Sequence, residues 1–198
     1  MRGTATLYRI KPGFQAALRP AVARCARAGV RPNHLTLAAI AVSATAGAVV
    51  AAGSSRPGLL LLAPMLYSLR MALNAMDGLL AREHHMTSRS GAVLNEIGDV
   101  MSDAVAYLPF AGLLPGHGWL VVVVVVLGLI GEVAALVNGD ESGRRNDGPL
   151  GKSDRAVAFG VVALLLACGR RAAVGPVLAF VAVLGLITIW NRATETRA

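Results

Sequence analysis

Carboxylate and amide side chains recur within two otherwise apolar stretches of the chain. The first stretch carries Asn74 and Asp77, and the second carries Asn95 and Asp99. Intervals of three and four residues place each pair on one face of a helix. Since an Asp at the middle of a bilayer costs about 2.5 to 3.5 kcal/mol on insertion scales, such residues usually face partners, a cavity or ions. Oxygen ligands of this kind suit a hard divalent cation, which in turn favours a phosphate-bearing substrate.

A pair of opposite charges lies deeper in the same two stretches. If the chain turns back between the stretches, antiparallel helices bring Arg70 to the depth of Asp103, and Asn74 to the depth of Asp99. We predict a buried ion pair between Arg70 and Asp103, with Asp77 and Asp99 left as free carboxylates nearer the cytoplasm. Alternatively, the polar groups do no more than bond the helices together, as transmembrane Asn commonly does.

The elements that must position these side chains are predicted to be membrane-spanning helices. Of the 198 residues, 55% are apolar and 15% are charged, and the mean hydropathy is +0.60. This composition excludes an ordinary water-soluble globule and a disordered chain. We predict an all-α membrane protein with six transmembrane helices in a single domain over residues 1–198. The six apolar runs are Leu35–Ala52, Gly58–Ala81, Ser90–Leu114, Trp119–Val137, Arg155–Cys168 and Val174–Trp190.

The distribution of basic residues predicts the orientation in the membrane. The net charge is +8, but the arginines are not gathered into an aromatic-studded patch, so we expect no nucleic-acid partner. Outside the apolar runs, only Arg56, Arg170 and Arg171 fall on the side opposite the other basic residues. The positive-inside rule then puts both termini in the cytoplasm of a multi-pass inner or plasma membrane protein. The start of the chain has no apolar run of signal-peptide length, and two cysteines form no disulfide framework.

Residues 1–34 are predicted to form a cytoplasmic or interfacial segment before the helical bundle of residues 35–190 and a cytoplasmic tail of residues 191–198. An amphipathic interfacial helix is indicated within this segment, and Pro20 is expected to split it or to start its main part. The helix either sets topology alone or also holds lipid headgroups. Its apolar face carries Phe14, Leu18, Val22 and Cys25, and its basic face carries Arg19, Arg24 and Arg27.

The two polar stretches together resemble a known signature. Residues 74–82 read Asn-Ala-Met-Asp-Gly-Leu-Leu-Ala-Arg, and eight residues later come Gly91, Asn95 and Asp99 at intervals of four. This resembles the CDP-alcohol phosphotransferase signature, Asp-x-x-Asp-Gly-x-x-Ala-Arg, a short spacer, and Gly-x-x-x-Asp-x-x-x-Asp. The chain is a variant, because Asn74 and Asn95 stand where the family has its first and third aspartates. The six-span layout extends the resemblance over nearly the whole chain.

The resemblance implies an integral membrane transferase of phospholipid synthesis. Such an enzyme moves a phosphatidyl group from a CDP-linked lipid, here CDP-diacylglycerol, to a small alcohol acceptor and releases CMP. The first three family aspartates hold two divalent ions, Mg²⁺ or Mn²⁺, and the fourth is the base. Carried over, the metal ligands are Asn74, Asp77, Asn95 and Asp99, with Asp99 also the catalytic base. Membrane lipids and a second copy, as a homodimer, are the further partners implied.

The resemblance also assigns substrate contacts. Gly78 would let the nucleotide approach the backbone, Ala81 would leave room for the cytidine, and Arg82 would offer a forked donor to phosphate. Residues 32–36 read Pro-Asn-His-Leu-Thr and resemble the Pro-Asn-x-x-Thr segment that opens the first span in this family. An ordinary helix start capped by Asn33 explains this segment equally well, and helix packing alone explains Gly78 or Gly91. The CDP contacts implied are Asn33, Thr36, Gly78, Ala81, Arg82 and Gly91. The contacts implied for acceptor or phosphate are Arg144, Arg145 and Lys152, in a loop whose charges could equally be a topology signal.

Several alternatives stay open at this point. The two asparagines lower the charge of the site, so it could hold two metals, hold one metal, or belong to a non-catalytic paralogue that binds nucleotide or lipid. A transporter that uses the aspartate stripes is a further possibility. The acceptor alcohol is open, as are the functions of Glu132, His84 and His85.

Overall fold

The computed structural model describes residues 11–138 and 148–194, and within these ranges the fold is entirely helical. The helices are α1 Lys11–Arg27, α2 Pro32–Ala52, α3 Ala63–Glu83, α4 Arg89–Tyr107, α5 Phe110–Leu113, α6 Gly118–Val137, α7 Lys152–Ala167 and α8 Val174–Thr194. Short 3-10 helices at Pro57–Leu62 and Arg171–Ala173 lead into α3 and α8. The predicted all-α class is therefore confirmed.

Four helical segments of the described chain are long and apolar enough to cross a membrane. They are Pro32–Ala52, Pro57–Glu83, Gly118–Val137 and Arg171–Thr194. Helix α4 carries Asn95, Asp99 and Asp103 in its interior, and α7 has only 16 residues. A chain with these apolar helices is a membrane protein, and the number of six spans remains a prediction.

Several predicted boundaries differ from those of the structure. The third apolar run is interrupted after Tyr107, where Pro109, which has no amide hydrogen to donate, precedes the four-residue α5. Helix α2 begins at Pro32, before the predicted bundle start, and α8 continues to Thr194, inside the predicted tail. Proline at a first helical position has a favourable φ angle and no amide donor to leave unpaired, which explains the earlier start of α2.

Helix α1 lies against the end of α3. Val22 is buried and packs with Leu35, Leu79 and Leu80, which joins α1 to α2 and α3. Arg19 Nε donates to Glu83 Oε1 at 3.0 Å on the exposed side of this contact. The expected break at Pro20 is wrong, because α1 runs uninterrupted through it.

The bundle is built around α2, which packs along both α3 and α4. A Cβ atom at Gly47 would overlap the carbonyl oxygen of Val105, so glycine is required for this approach of α2 to α4. A Cβ atom at Gly98 would lie 3.1 Å from Ile40 Cδ1 at a second point of the same interface. Helix α7 packs on α3, and α6 packs on α8.

An aromatic layer holds α3, α4 and α7 together beneath the polar residues. The rings of Tyr107 and Phe159 are stacked with centroids 4.2 Å apart, and Tyr67 meets Tyr107 edge-on at 5.3 Å. Tyr67 Oη donates to the carbonyl of Ala106 at 3.2 Å. The layer closes one end of the polar cluster, and the other end faces the start of α2.

Candidate active site

Asp99 is buried on α4, and both of its carboxylate oxygens have partners. Oδ1 accepts a hydrogen bond from Asn74 Nδ2 at 2.6 Å, and Oδ2 forms an ion pair with Lys152 Nζ. Arg70 Nη2 lies 4.0 Å from Oδ1. The expectation that Asp99 is a free carboxylate is therefore wrong. It fails because the first turn of α7, distant in sequence, brings a lysine against α4.

Asp77 is also buried, on the facing side of α3. Its Oδ2 accepts a hydrogen bond from Thr36 Oγ1 at 3.0 Å, so Asp77 is not free either. The Thr36 hydroxyl is also within 3.3 Å of the carbonyl of Pro32, one turn earlier in α2. Asp77 lies within electrostatic range of Asp99 and Lys152. Helices α2, α3, α4 and α7 thus converge on two carboxylates at the same end of the bundle.

Two pairs among the residues assigned to CDP are adjacent in the structure. Asn33 Oδ1 would lie 3.0 Å from a Cβ atom at Gly91, so these two residues adjoin where α2 and α4 begin. Asn33 is not the cap of α2, because the capping position is Arg31. The Arg82 guanidinium lies over Gly78, where a Cβ atom would approach Nη1 to 3.1 Å.

For the remaining predicted residues, the structure gives the position on the helix and the burial of the side chain. Asn95 is partly buried one turn before Asp99, and Ala81 is partly buried one turn after Asp77. His84 and His85 are exposed in the turn between α3 and α4. Arg144 and Arg145 lie outside the described residues.

The predicted ion pair between Arg70 and Asp103 is present, and it belongs to a larger network. Arg70 Nη2 lies 2.7 Å from Asp103 Oδ1, without the alignment of a hydrogen bond, and Arg70 Nη1 donates to Tyr107 Oη at 3.2 Å. Arg155 donates to Asp103 Oδ2 from Nε at 2.9 Å and from Nη2 at 2.7 Å. Arg155 Nη2 also donates to Glu132 Oε1 at 3.2 Å. Asp103 therefore has two buried cations as partners.

Glu132 faces this network rather than lipid. Its Oε2 lies 3.7 Å from Lys152 Nζ, and its Oε1 lies 3.8 Å from Arg192 Nη1. Arg192 also donates to the carbonyl of Gly131 at 2.6 Å. From the sequence, Arg155 and Arg192 were expected only to contribute to the positive-inside distribution. The spacing within α7 could have linked Arg155 to the site, because Arg155 follows Lys152 by three residues and both lie on one face of the helix.

The side chains of the site offer the oxygen ligands that a hard divalent cation prefers, but they carry fewer negative charges than the family signature supplies. Across the parts of the chain that the structure describes, no three His, Cys, Asp or Glu side chains converge in a way that could hold a metal. The oxygen-bearing side chains of the signature are the buried carboxylates of Asp77 and Asp99 and the partly buried amide groups of Asn74 and Asn95. All four offer oxygen, which Mg²⁺ and Mn²⁺ accept, but only two carry charge.

A small cavity of about 70 Å³ adjoins Asp99 between α4, α6 and α7. One wall is apolar, with Val125 and Leu129, and the other carries the charged groups of Asp103, Lys152 and Arg155. The cavity lies beside the carboxylate predicted to be the base.

Comparisons with known proteins agree with this architecture. A model of the family described as CDP-alcohol phosphatidyltransferase matches residues 30–190. The inner membrane protein YnbA of Escherichia coli (strain K12) is 44% identical over 163 residues, which cover 82% of this chain and 81% of that protein.

Two crystal structures of Mycobacterium tuberculosis phosphatidylinositol phosphate synthase (PgsA1) have a similar fold at 18% identity. The complex with manganese and citrate gives a TM-score of 0.71 and covers 90% of this chain and 92% of that chain. The structure with CDP-DAG bound gives a TM-score of 0.69 and covers 90% of this chain and 97% of that chain. At 18% identity, these two structures show the fold alone. Family membership rests on the family match, which covers residues 30–190 and includes every predicted site residue. The chain belongs to the CDP-alcohol phosphatidyltransferase family.

Proposed function

We propose that the protein transfers a phosphatidyl group from CDP-diacylglycerol to a small alcohol and releases CMP. The observation that carries the proposal is the convergence of Asp77 and Asp99, the two signature carboxylates retained, at one end of the bundle with Thr36 and Lys152. The crystallised PgsA1 with CDP-DAG bound has the same fold, which supports a CDP-lipid as the donor.

In the proposed reaction Asp99 accepts the proton of the acceptor hydroxyl. The acceptor oxygen forms a bond to the phosphorus that bears the diacylglycerol, and the bond from that phosphorus to the oxygen of CMP breaks. Asn74 and Lys152 hold the Asp99 carboxylate in place beforehand, so little reorganisation is needed when the hydroxyl arrives. Lys152, beside the reacting phosphate, would also stabilise its charge.

A divalent cation, Mg²⁺ or Mn²⁺, supplies positive charge that neutralises the pyrophosphate and the leaving CMP when it is bound. We assign its ligands to Asn74, Asp77, Asn95 and Asp99, with Asp77 the principal one. The nucleotide contacts are Asn33, Thr36, Gly78, Ala81, Arg82 and Gly91. Thr36 also supports Asp77, since its hydroxyl donates a hydrogen bond to that carboxylate.

We place the acceptor in the cavity beside Asp99. Its charged wall suits the reacting hydroxyl group of a small alcohol, and its volume of about 70 Å³ admits only that end of the molecule. Lys152, with Arg144 and Arg145 of the preceding loop, would bind phosphate groups of the acceptor or of the nucleotide.

The wider arrangement follows the family layout in this proposal: a single domain, a homodimer, and both termini in the cytoplasm. The charge distribution supports the orientation. Lys152 and Arg192 lie at the end of the bundle that holds the site, and Arg171 lies at the opposite end, beyond α7.

The direct test is release of CMP from CDP-diacylglycerol by purified protein in lipid nanodiscs, with a panel of small alcohols and Mn²⁺. Asp99→Asn keeps the shape of the side chain but removes the base, so we expect CMP release to fall by roughly 10²-fold or more. Ser43→Ala, at a buried serine that bonds only its own helix at Ala39, is the matched control and should retain activity. Full activity in Asp99→Asn would contradict the proposal.

A second candidate function is a non-catalytic binding protein on the same scaffold. The observation that favours it is that both oxygens of Asp99 already have partners, Asn74 and Lys152. Metal-dependent binding of CDP-diacylglycerol without CMP release for any acceptor would support this alternative, and CMP release would exclude it.

A further inference from the structure

Lys152 places a positive charge inside the signature site. Its ammonium pairs with Asp99 Oδ2 and lies 3.7 Å from Glu132 Oε2, and its side chain is 23% exposed. The ammonium is favoured in this position because, without it, the nearest cation to the buried Asp99 carboxylate among the described residues would be Arg70 at 4.0 Å. Lys152 is thus a fixed component of the site.

The start of α7 holds this ammonium in position. Gly151, which caps α7, donates its amide hydrogen to Asp154 Oδ2 at 2.7 Å, which fixes the first turn. One turn further, Arg155 is anchored by two hydrogen bonds to Asp103. Because Lys152 lies between these two anchors, its side chain leaves the helix at a defined place beside α4.

Asn74 contributes to the same arrangement. Its amide nitrogen, a donor, points at Asp99 Oδ1 at 2.6 Å. A carboxylate at position 74 would instead repel Asp99 unless a cation lay between them. With asparagine here, one oxygen of Asp99 is satisfied by an amide and the other by an ammonium, and neither needs a metal ion.

The charge of the site is therefore suited to fewer ions than the family signature implies. Asp77 and Asp99 supply two negative charges, and Lys152 offsets one of them. Asp103 does not add to the total, because Arg70 and Arg155 both pair with it. Glu132 and Arg192 complete the count, so that the described cluster holds four carboxylates, Asp77, Asp99, Asp103 and Glu132, and four cations, Arg70, Lys152, Arg155 and Arg192. A cluster without net negative charge supports one divalent ion better than two adjacent ones.

We propose that this protein binds a single divalent cation, centred on Asp77, and that the Lys152 ammonium takes the place of the second cation on Asp99. The inference rests on the proposed function for the identity of the site. It goes further in assigning the number of ions and in naming a side chain as the substitute.

The test counts Mn²⁺ on the purified protein in nanodiscs without any CDP compound, so its result does not depend on turnover. Electron paramagnetic resonance of free and bound Mn²⁺ should give one ion per chain, with the spectrum of an isolated ion rather than of a coupled pair. Two ions per chain, or none, would overturn the inference. CMP release measured on the same sample reports separately on the proposed function.

Two neutral variants test the part played by Lys152. Lys152→Met removes the ammonium and keeps much of the side-chain volume, and Lys152→Gln is a second variant in case the first does not fold. We expect a second Mn²⁺ to bind, or the first to bind about tenfold more tightly. Arg171→Met, which removes an exposed cation at the opposite end of α7, should leave count and affinity unchanged. Unchanged Mn²⁺ binding in a folded Lys152 variant would contradict the assignment.

Discussion

Asn74 donates its amide hydrogen to Asp99 Oδ1 at 2.6 Å, joining the first and fourth positions of the family signature by a direct hydrogen bond. An aspartate at position 74 has no hydrogen to donate at neutral pH and would face Asp99 as a like charge. The substitution therefore converts a pair of positions that needs a cation into one that is stable without it.

Asn74→Asp should make the fold depend on metal. Loss of a hydrogen bond to a charged group, with repulsion added, is expected to lower the melting temperature of the metal-free protein by roughly 4 to 8 °C. Saturating Mn²⁺ should recover most of this loss, because a cation between the two carboxylates replaces the missing hydrogen. Thermal unfolding in nanodiscs with and without Mn²⁺ measures both effects. A metal-free variant as stable as the original chain would contradict this account of the pair.

Thr36→Val should weaken metal binding with little effect on the fold. The variant keeps the shape of the side chain but removes the hydroxyl that donates to Asp77 Oδ2 at 3.0 Å. Removal of such a supporting hydrogen bond typically lowers metal affinity, and we expect a loss of roughly tenfold for Mn²⁺. Ser43→Ala removes a hydroxyl from the same helix without touching the site and is the control. Equal Mn²⁺ affinity in both variants would show that Thr36 does not support Asp77.

Arg155→Met should destabilise the protein more than Arg70→Met. Arg155 is buried and donates hydrogen bonds to both Asp103 and Glu132, so its loss removes charged hydrogen bonds from two buried carboxylates, at a cost of about 3 kcal/mol. In Arg70→Met, Asp103 keeps Arg155, so the loss should be smaller. Thermal unfolding gives the order of the two variants, with the exposed Arg171→Met as the reference. A larger loss for Arg70→Met would mean that Arg155 is not the centre of the network.

The contact between α3 and α4 was predictable from sequence because it depends on local periodicity. The intervals within 70–77 and 95–103 define one face on each helix, and a short turn at 84–88 fixes their antiparallel depth. The pairings of Arg70 with Asp103 and of Asn74 with Asp99 both follow from that register and are present in the structure.

Contacts to α6, α7 and α8 could not be predicted in the same way. No periodicity relates Lys152 to Asp99 or Glu132 to Arg155, because their helices are separated by long segments and meet only through tertiary packing. The sequence could nevertheless indicate that Glu132, a lone carboxylate in an apolar helix, needs a partner. The same limitation explains why Asp99 was expected to be free: its cation comes from the other half of the bundle.

We propose that the cluster around Asp77 is a metal-dependent site for a CDP-linked lipid. The most direct measurement is titration of the protein in nanodiscs with CDP-diacylglycerol, with and without Mn²⁺ or Mg²⁺, repeated with Asp77→Ala. We expect binding that requires the divalent ion and is lost in the variant. Binding that ignores the metal, that survives in Asp77→Ala, or that is absent under every condition would contradict it.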